Sequence, residues 1–227
     1  MPTREAVTAG APAAAPPVPD AARAALGDAL PALEAFASVL AGPGVERGLL
    51  GPRETPRLWD RHLLNCAGPA ELLAPGELVV DVGSGAGLPG VVLAALRPDC
   101  RFVLLEPLLR RASFLSEVVE ALALPHVEVR RGRAEEVAGA LAADVVVARA
   151  VAPLARLAGW ALPLLRPGGR LLAMKGRTAD AELAEAGPAL TAAGGEQARV
   201  LDVGDEATLT AARVVVVVRG AGRGRRS

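Results

Sequence analysis

The chain has 227 residues, 52% of them hydrophobic, and its 25 basic and 25 acidic residues balance to a formal charge of zero. That length holds one well-buried α/β domain with about 60 to 70 residues left for extensions, and its purely apolar runs, such as Val214–Val218, fall far short of the roughly 20 residues of a membrane span. Two cysteines, Cys66 and Cys100, without a Cys-x-x-Cys or a histidine pair give neither a disulfide framework nor a metal site, so both read as packing thiols.

Lys175 is the only lysine and Asn65 the only asparagine, and isoleucine and tyrosine are missing. Such a bias fits GC-rich coding and makes arginine the available cation. It weakens arguments from arginine clusters and singles out the one lysine.

Residues 1–19 are rich in Ala and Pro but have no continuous apolar core. They read as a disordered leader and not a secretory signal, which sets the cytoplasm as the expected compartment. A helical extension is expected over 20–74. Its first helix covers Asp20 to Leu40, with Leu26, Leu30, Leu33, Phe36, Val39 and Leu40 at helical spacing, Asp20 as N-cap and a bend at Pro31. A Gly/Pro connection follows from Gly42 to Glu54. Pro56 to Leu73 reads as helix again, with Trp59, His62, Leu63 and Cys66 on one face.

From Glu77 the pattern changes to short Val/Leu-rich runs alternating with helical stretches. The runs are Leu78–Val82, Arg101–Leu105, Val127–Arg131, Asp144–Ala148 and Arg170–Met174; the helices between and after them are Pro89–Leu96, Leu109–Leu122, Pro153–Leu165 and Ala179–Thr191. Continuous apolar strands separated by helices predict a mostly parallel sheet covered on both faces, over 75–219. The last two runs, Arg199–Val203 and Ala212–Arg219, are separated only by a short polar loop and predict an antiparallel hairpin. A basic tail occupies 220–227.

The first strand runs directly into "DVGSGAGLPG", Asp81 to Gly90. In a doubly wound sheet a ligand lies at this strand-to-helix turn. The dinucleotide fingerprint G-x-G-x-x-G fits poorly, because counted from Gly83 it finds Leu88 where its third glycine belongs and counted from Gly85 it matches only by starting inside the turn, and no phosphate-loop G-x-x-x-x-G-K-[ST] is present. S-adenosylmethionine lacks a pyrophosphate and meets the residues better. Asp81 supplies the acidic group near the turn, Gly83 and Gly85 permit close backbone approach, and Glu106 ends the second strand as an acceptor for ribose hydroxyls. Nicotinamide enzymes use a carboxylate in the same way, so Glu106 supports an adenosine ligand without choosing between them. The terminal hairpin and the D-x-G-x-G turn favour S-adenosylmethionine, and with it a class I Rossmann-like methyltransferase of seven strands.

The segments "RLWDRHLLN", "DVGSGAGLPG", "LLEPLLRRASFL", "RGRAEE", "ARAVAPL" and "LLAMKG" occur in this order from about Trp59 to Arg219. In that order and content the chain resembles the RsmG (GidB) family of small-subunit (16S) ribosomal RNA guanine-N7 methyltransferases. The resemblance implies that Gly83 and Leu88 line the cofactor turn, that Glu106 takes the ribose, and that Ala134 and Glu135 flank the adenine. It places Arg149 beside the transferred methyl, bonding either the guanine or the methionine carboxylate. Lys175 would contact phosphate or substrate. Arg133 and Arg213 match family arginines thought to hold RNA or cofactor, and His62 is either a pocket-facing residue or a packed helix histidine. The implied partner is 16S rRNA, within the small subunit or an assembly intermediate, met by a monomer with no membrane involvement.

What the sequence lacks agrees with that chemistry. Guanine N7 has a free lone pair and no proton, so in-line attack on a sulfonium methyl needs no general base. The N/D-P-P-Y/F sequence of exocyclic amino methylation is replaced by "ARAVAPL", and neither cysteine sits where a nucleophile for pyrimidine C5 would. Candidate phosphate contacts are Arg110, Arg111, Arg130, Arg131, Arg133 and the tail "RGAGRGRRS". With aromatics at only 2%, base stacking is not a main device, and a folded or assembled RNA surface is the expected substrate. A class I methyltransferase acting on a small molecule or protein is the alternative.

Overall fold

The structure is a computed structural model that describes residues 14–204 and 211–221. Its elements in chain order are α1 (Asp20–Leu26), α2 (Leu30–Val39), α3 (Leu64–Ala67), β1 (Leu78–Val82), α4 (Gly90–Leu96), β2 (Arg101–Glu106), α5 (Leu109–Ala121), β3 (Val127–Arg131), α6 (Ala134–Val137), β4 (Ala143–Arg149), α7 (Leu154–Ala161), β5 (Leu165–Lys175), α8 (Ala179–Ala192), β6 (Gly195–Val203) and β7 (Ala212–Arg219). The strands form one sheet in the order β3-β2-β1-β4-β5-β7-β6. β6 and β7 pair as an antiparallel hairpin, and β7 enters between β5 and β6, antiparallel to both. β7 alone therefore runs against the rest of the sheet.

The continuous apolar strands are explained by burial on both faces. Val79, Leu104, Val145, Leu172 and Val214 join one core with Leu26, Leu33 and Phe36 of the N-terminal helices and with Val92 and Phe114 of α4 and α5. Their strand neighbours Val80, Val103, Val146, Leu171 and Val215 join a second core with Leu157 and Ala161 of α7 and Leu190 of α8. The N-terminal extension is thus one of the two layers that cover the sheet.

Several local expectations change. Pro19 is the N-cap of α1 and Asp20 its first residue, with no side-chain cap bond. The break falls at the tight turn Gly27–Ala29 and not at Pro31, which sits in the first turn of α2, where a missing N–H leaves no helical bond unmade. The helical path then runs on through a π turn at Leu40–Gly44, inside the expected Gly/Pro connection. α7 ends at Ala161 because a 3-10 turn, Leu162–Leu164, carries Pro163 into β5. Part of the expected disordered leader is anchored: Val18 is buried, and the Trp59 indole N–H donates to the Pro16 carbonyl at 2.8 Å. The rest of that leader, 1–13, and the end of the basic tail, 222–227, lie outside the described residues.

The run Asp20–Gly44, 25 residues, is long and apolar enough by composition to cross a membrane. It is broken at Gly27, and Ala22, Leu26, Leu33, Phe36 and Leu40 spend their apolar surface against the sheet.

Candidate active site

β1 lies between β2 and β4, so strand order reverses at its carboxyl end, where a crevice opens. The turn after β1 fills it. Gly83 has φ +69°, and a Cβ there would meet Val151 Cγ2 at 3.0 Å, so only glycine lets the backbone line the crevice here. Gly90 starts α4, and a Cβ there would meet Asp81 Oδ2 at 2.6 Å. The Gly90 N–H instead donates to that oxygen at 3.0 Å.

Asp81 therefore acts from beneath the turn and faces no described cavity. It is 1% exposed, its Oδ1 has no partner, and burial pushes its carboxyl up to about 7 against the pull of the Gly90 N–H. Glu106, at the end of β2, is 2% exposed and accepts the N–H groups of Gly85 and Leu108, each at 3.0 Å. It fixes the glycine turn to the second strand while lining the cavity above it.

That cavity, about 520 Å³, is bounded by Gly83, Gly85, Leu88, Glu106, His62 and Arg149. Gly83, Pro107 and Val151 also line a narrower slot of about 170 Å³, which continues to Ala134, Glu135 and Trp160. A chamber that carries the Glu106 carboxylate and runs on into a narrower slot suits a ribose followed by an adenine. The residues fit S-adenosylmethionine: backbone at Gly83 and Gly85 for the methionine portion, Glu106 for the ribose, Ala134 and Trp160 for the base.

A third cavity, about 950 Å³, lies on the other side of Arg149, Ala150 and Val151 and is walled by Arg57, Asp60, Arg61, Asn65, Lys175 and Glu182. Arg149 borders both large cavities. Its Nη1 donates to Cys66 Sγ at 2.9 Å and to the His62 carbonyl at 3.5 Å; its Nη2 donates to the Arg61 carbonyl at 3.2 Å and meets His62 Nδ1 at 2.9 Å. Cys66 is thus more than a packing thiol. Burial raises it to about 11, and the Arg149 hydrogen bond falls on a neutral sulfur. His62 Nε2 lies 2.9 Å from Glu54 Oε2, and burial holds the ring below its ordinary pKa although the Glu54 bond opposes this.

Lys175 is held by the Ala152 carbonyl at 2.9 Å and by Glu182 Oε2 at 2.7 Å. Glu182 also accepts the Leu154 N–H at 3.2 Å, so the pair clamps the loop after β4. Arg133 borders the slot and caps α6, its N–H donating to Glu136 at 2.9 Å. Arg213 pairs in register with Lys175 but points to Asp180 and Asp202, at 3.0 and 2.9 Å, outside the three cavities. The structure thus brings Gly83, Gly85, Leu88, Glu106, Ala134, Glu135, Arg149, Lys175 and His62 to one crevice. His62 is on its cofactor side, Asp81 under it, and Arg133 and Arg213 at or beyond its rim.

Sequence reasoning missed Glu54, Arg57, Asp60, Arg61, Asn65, Trp160 and Glu182. A signal existed for part of this set. Arg57, Arg61 and Asn65 recur every four residues on the side away from Trp59, Leu63 and Cys66, a pattern that reads as an ordinary solvated helix face.

A doubly wound sheet with an antiparallel seventh strand and this crevice defines the class: a Rossmann-like methyltransferase fold. The S-adenosylmethionine-dependent methyltransferase SibL shares it with a TM-score of 0.58 at 18% identity, over 85% of this chain and 69% of that one. A SAM dependent methyltransferase from Aquifex aeolicus does so with a TM-score of 0.52 at 22% identity, over 75% of this chain and 99% of that one. At these identities the likeness concerns the fold. The chain belongs to the rRNA small subunit methyltransferase G family, whose pattern matches residues 29–210. Relatives named ribosomal RNA small subunit methyltransferase G include those of Streptomyces coelicolor, 56% identical over 90% of this chain and 86% of that one, and Thermobifida fusca, 64% identical over 74% and 70%.

Proposed function

We propose that the protein transfers the methyl group of S-adenosylmethionine to N7 of a guanine in 16S rRNA. The observation that carries this reading is the meeting at Arg149 of the cavity over the glycine turn and a larger cavity beside it, in a chain whose relatives bear the name of small-subunit rRNA methyltransferases. S-adenosylmethionine supplies an electrophilic methyl and takes the electron pair of the broken S–C bond onto sulfur. The protein's part is positioning and electrostatics, since the attacking nitrogen carries no proton.

Gly83 and Gly85 admit the reactive end against their backbone, Leu88 closes the turn, and Ala134 and Glu135 hold the adenine end. Glu106 accepts the ribose hydroxyls with the lone pairs that Gly85 and Leu108 leave free. Arg149 sits where the two cavities meet and sets the line of approach. As N7 is alkylated the base becomes cationic, and Asp60 on the acceptor wall favours that charge. Arg57, Arg61 and Lys175 offer cations to the flanking phosphates, with Arg133 and Arg213 farther out. Few aromatics and local cations on a neutral chain suit a folded small-subunit surface, engaged by a monomer in the cytoplasm.

The test incubates the protein with methyl-labelled S-adenosylmethionine and either naked 16S rRNA or small subunits from cells lacking this modification. Label at N7 of one guanine, lost in Arg149→Ala with the fold intact, is expected. Cofactor binding with label in no RNA, or only in a small molecule or protein, overturns the reading.

A further inference from the structure

We propose that Glu54 and His62 are positioning residues for methyl transfer: they hold the Arg149 guanidinium across the opening between the cofactor cavity and the acceptor cavity. The inference rests on the function proposed above for those cavities.

The geometry is a chain of bonds. Glu54 Oε2, His62 Nε2, His62 Nδ1 and Arg149 Nη2 follow one another with both hydrogen bonds at 2.9 Å. A guanidinium only donates, so His62 Nδ1 presents its lone pair, the ring proton resides on Nε2, and Nε2–H donates to Glu54. The order of the chain thus fixes the neutral tautomer, as a carboxylate behind an imidazole does elsewhere. Arg149 spends its other Nη donors on Cys66 Sγ and the carbonyls of Arg61 and His62, all on the same helical segment. That segment includes a π turn, Leu58–Leu63, an irregularity common at functional sites.

The location gives the tether its role. Arg57, Asp60, Arg61 and Asn65 face the acceptor cavity, His62 faces the cofactor cavity, and Arg149 borders both. The end of β4 and the acceptor wall are therefore fixed to each other at the point where methyl donor and acceptor must align. A displacement of about 1 Å there costs on the order of 100-fold in rate. Protonating His62 would turn an N–H toward Arg149 and break the tie. The charged groups around the ring are Glu54 and Arg61 on its own segment, Arg149 from β4, and Glu106 and Arg111 across the cofactor cavity.

The experiment has two arms on the full chain. The protein has two histidines, so nitrogen-proton correlation of the imidazoles, assigned with His62→Asn, reads each tautomer. Expected is a neutral His62 protonated on Nε2 at pH 7.5; an Nδ1–H ring or an imidazolium overturns the tether. In the second arm, transfer to small subunits is followed for His62→Ala and His62→Asn, whose side-chain carbonyl can replace Nδ1 as acceptor for Arg149 but cannot titrate. His62→Ala should lower kcat at least about tenfold, a larger factor than the change in cofactor Kd. His62→Asn should recover most of the loss and flatten the acid limb of the kcat profile. A His62→Ala enzyme with wild-type kcat and pH profile, or a His62→Asn enzyme as impaired as His62→Ala, overturns it. A wild-type protein that methylates no RNA overturns the proposed function instead, and the tautomer arm still decides the tether.

Discussion

The two walls of the crevice are built by different means. The cofactor wall is made of strand ends and one glycine turn, tied by backbone N–H groups to two buried carboxylates, Asp81 and Glu106. The acceptor wall is a helical path that changes pitch repeatedly: 3-10 over Pro52–Arg57, π over Leu58–Leu63, α over Leu64–Ala67 and 3-10 again over Gly68–Leu72. Main chain holds the first; side chains, with Arg149 foremost, hold the second. Regular backbone gives the proposed cofactor site a fixed frame, and an irregular helix lets side chains from one short segment face two cavities.

Breaking the cofactor wall should have the largest effect. Gly83→Val puts a branched side chain at φ +69° and into Val151, at a strain of about 3 kcal/mol, so the turn must leave the crevice or occupy it, and calorimetry should find S-adenosylmethionine binding lost. Glu106→Ala comes next. It strands the Gly85 and Leu108 N–H groups at about 1–3 kcal/mol each, which should lower the melting temperature as well as weaken cofactor binding.

On the acceptor wall, Arg57→Ala should leave cofactor affinity as it was and reduce the slope of log K for RNA against log salt by about 0.7–0.9, one phosphate contact. An unchanged slope would remove Arg57 from the RNA surface. A last test sharpens the comparison by its sign. Asp81 is raised from 3.8 to about 7, so between those values the folded protein keeps a proton that the unfolded chain has released, and stability falls as pH rises. Asp81→Asn, whose side-chain carbonyl can still accept from Gly90, should flatten that slope in urea midpoints measured across the window. His62 is lowered from 6.5, so the acceptor wall contributes the opposite slope: stability is lost as pH falls below that value.

The same contrast governs how much of the molecule was legible in the sequence. β1 and β7 have the boundaries that the apolar runs predict, because strands buried on both faces leave an uninterrupted hydrophobic signature. The glycine turn was legible because glycine is the residue that lets a backbone approach a ligand closely. Glu106 was legible because a carboxylate closing an apolar strand is costly to bury unless hydrogen bonds use it. The acceptor wall was not. A helix that changes pitch defeats a 3.6-residue periodicity, and Arg57, Asp60 and Arg61 look like any solvated face until β4 arrives opposite them. Glu182 could not be read at all, because it clamps a loop 28 residues before it, a relation only the sheet creates. Lys175, singled out as the only lysine, is at the acceptor cavity, but nothing in the sequence pairs it with Glu182.

The chain has two tryptophans and no tyrosine, and the fold puts one tryptophan on each wall. Trp160 borders the slot proposed for the adenine, and Trp59 is buried behind the acceptor wall, its indole on the Pro16 carbonyl. Ultraviolet emission of this protein is therefore a two-channel signal without labelling. A Trp59→Phe protein would report occupancy of the slot, a Trp160→Phe protein would report loosening of the helical wall, and the two traces together would time one event against the other.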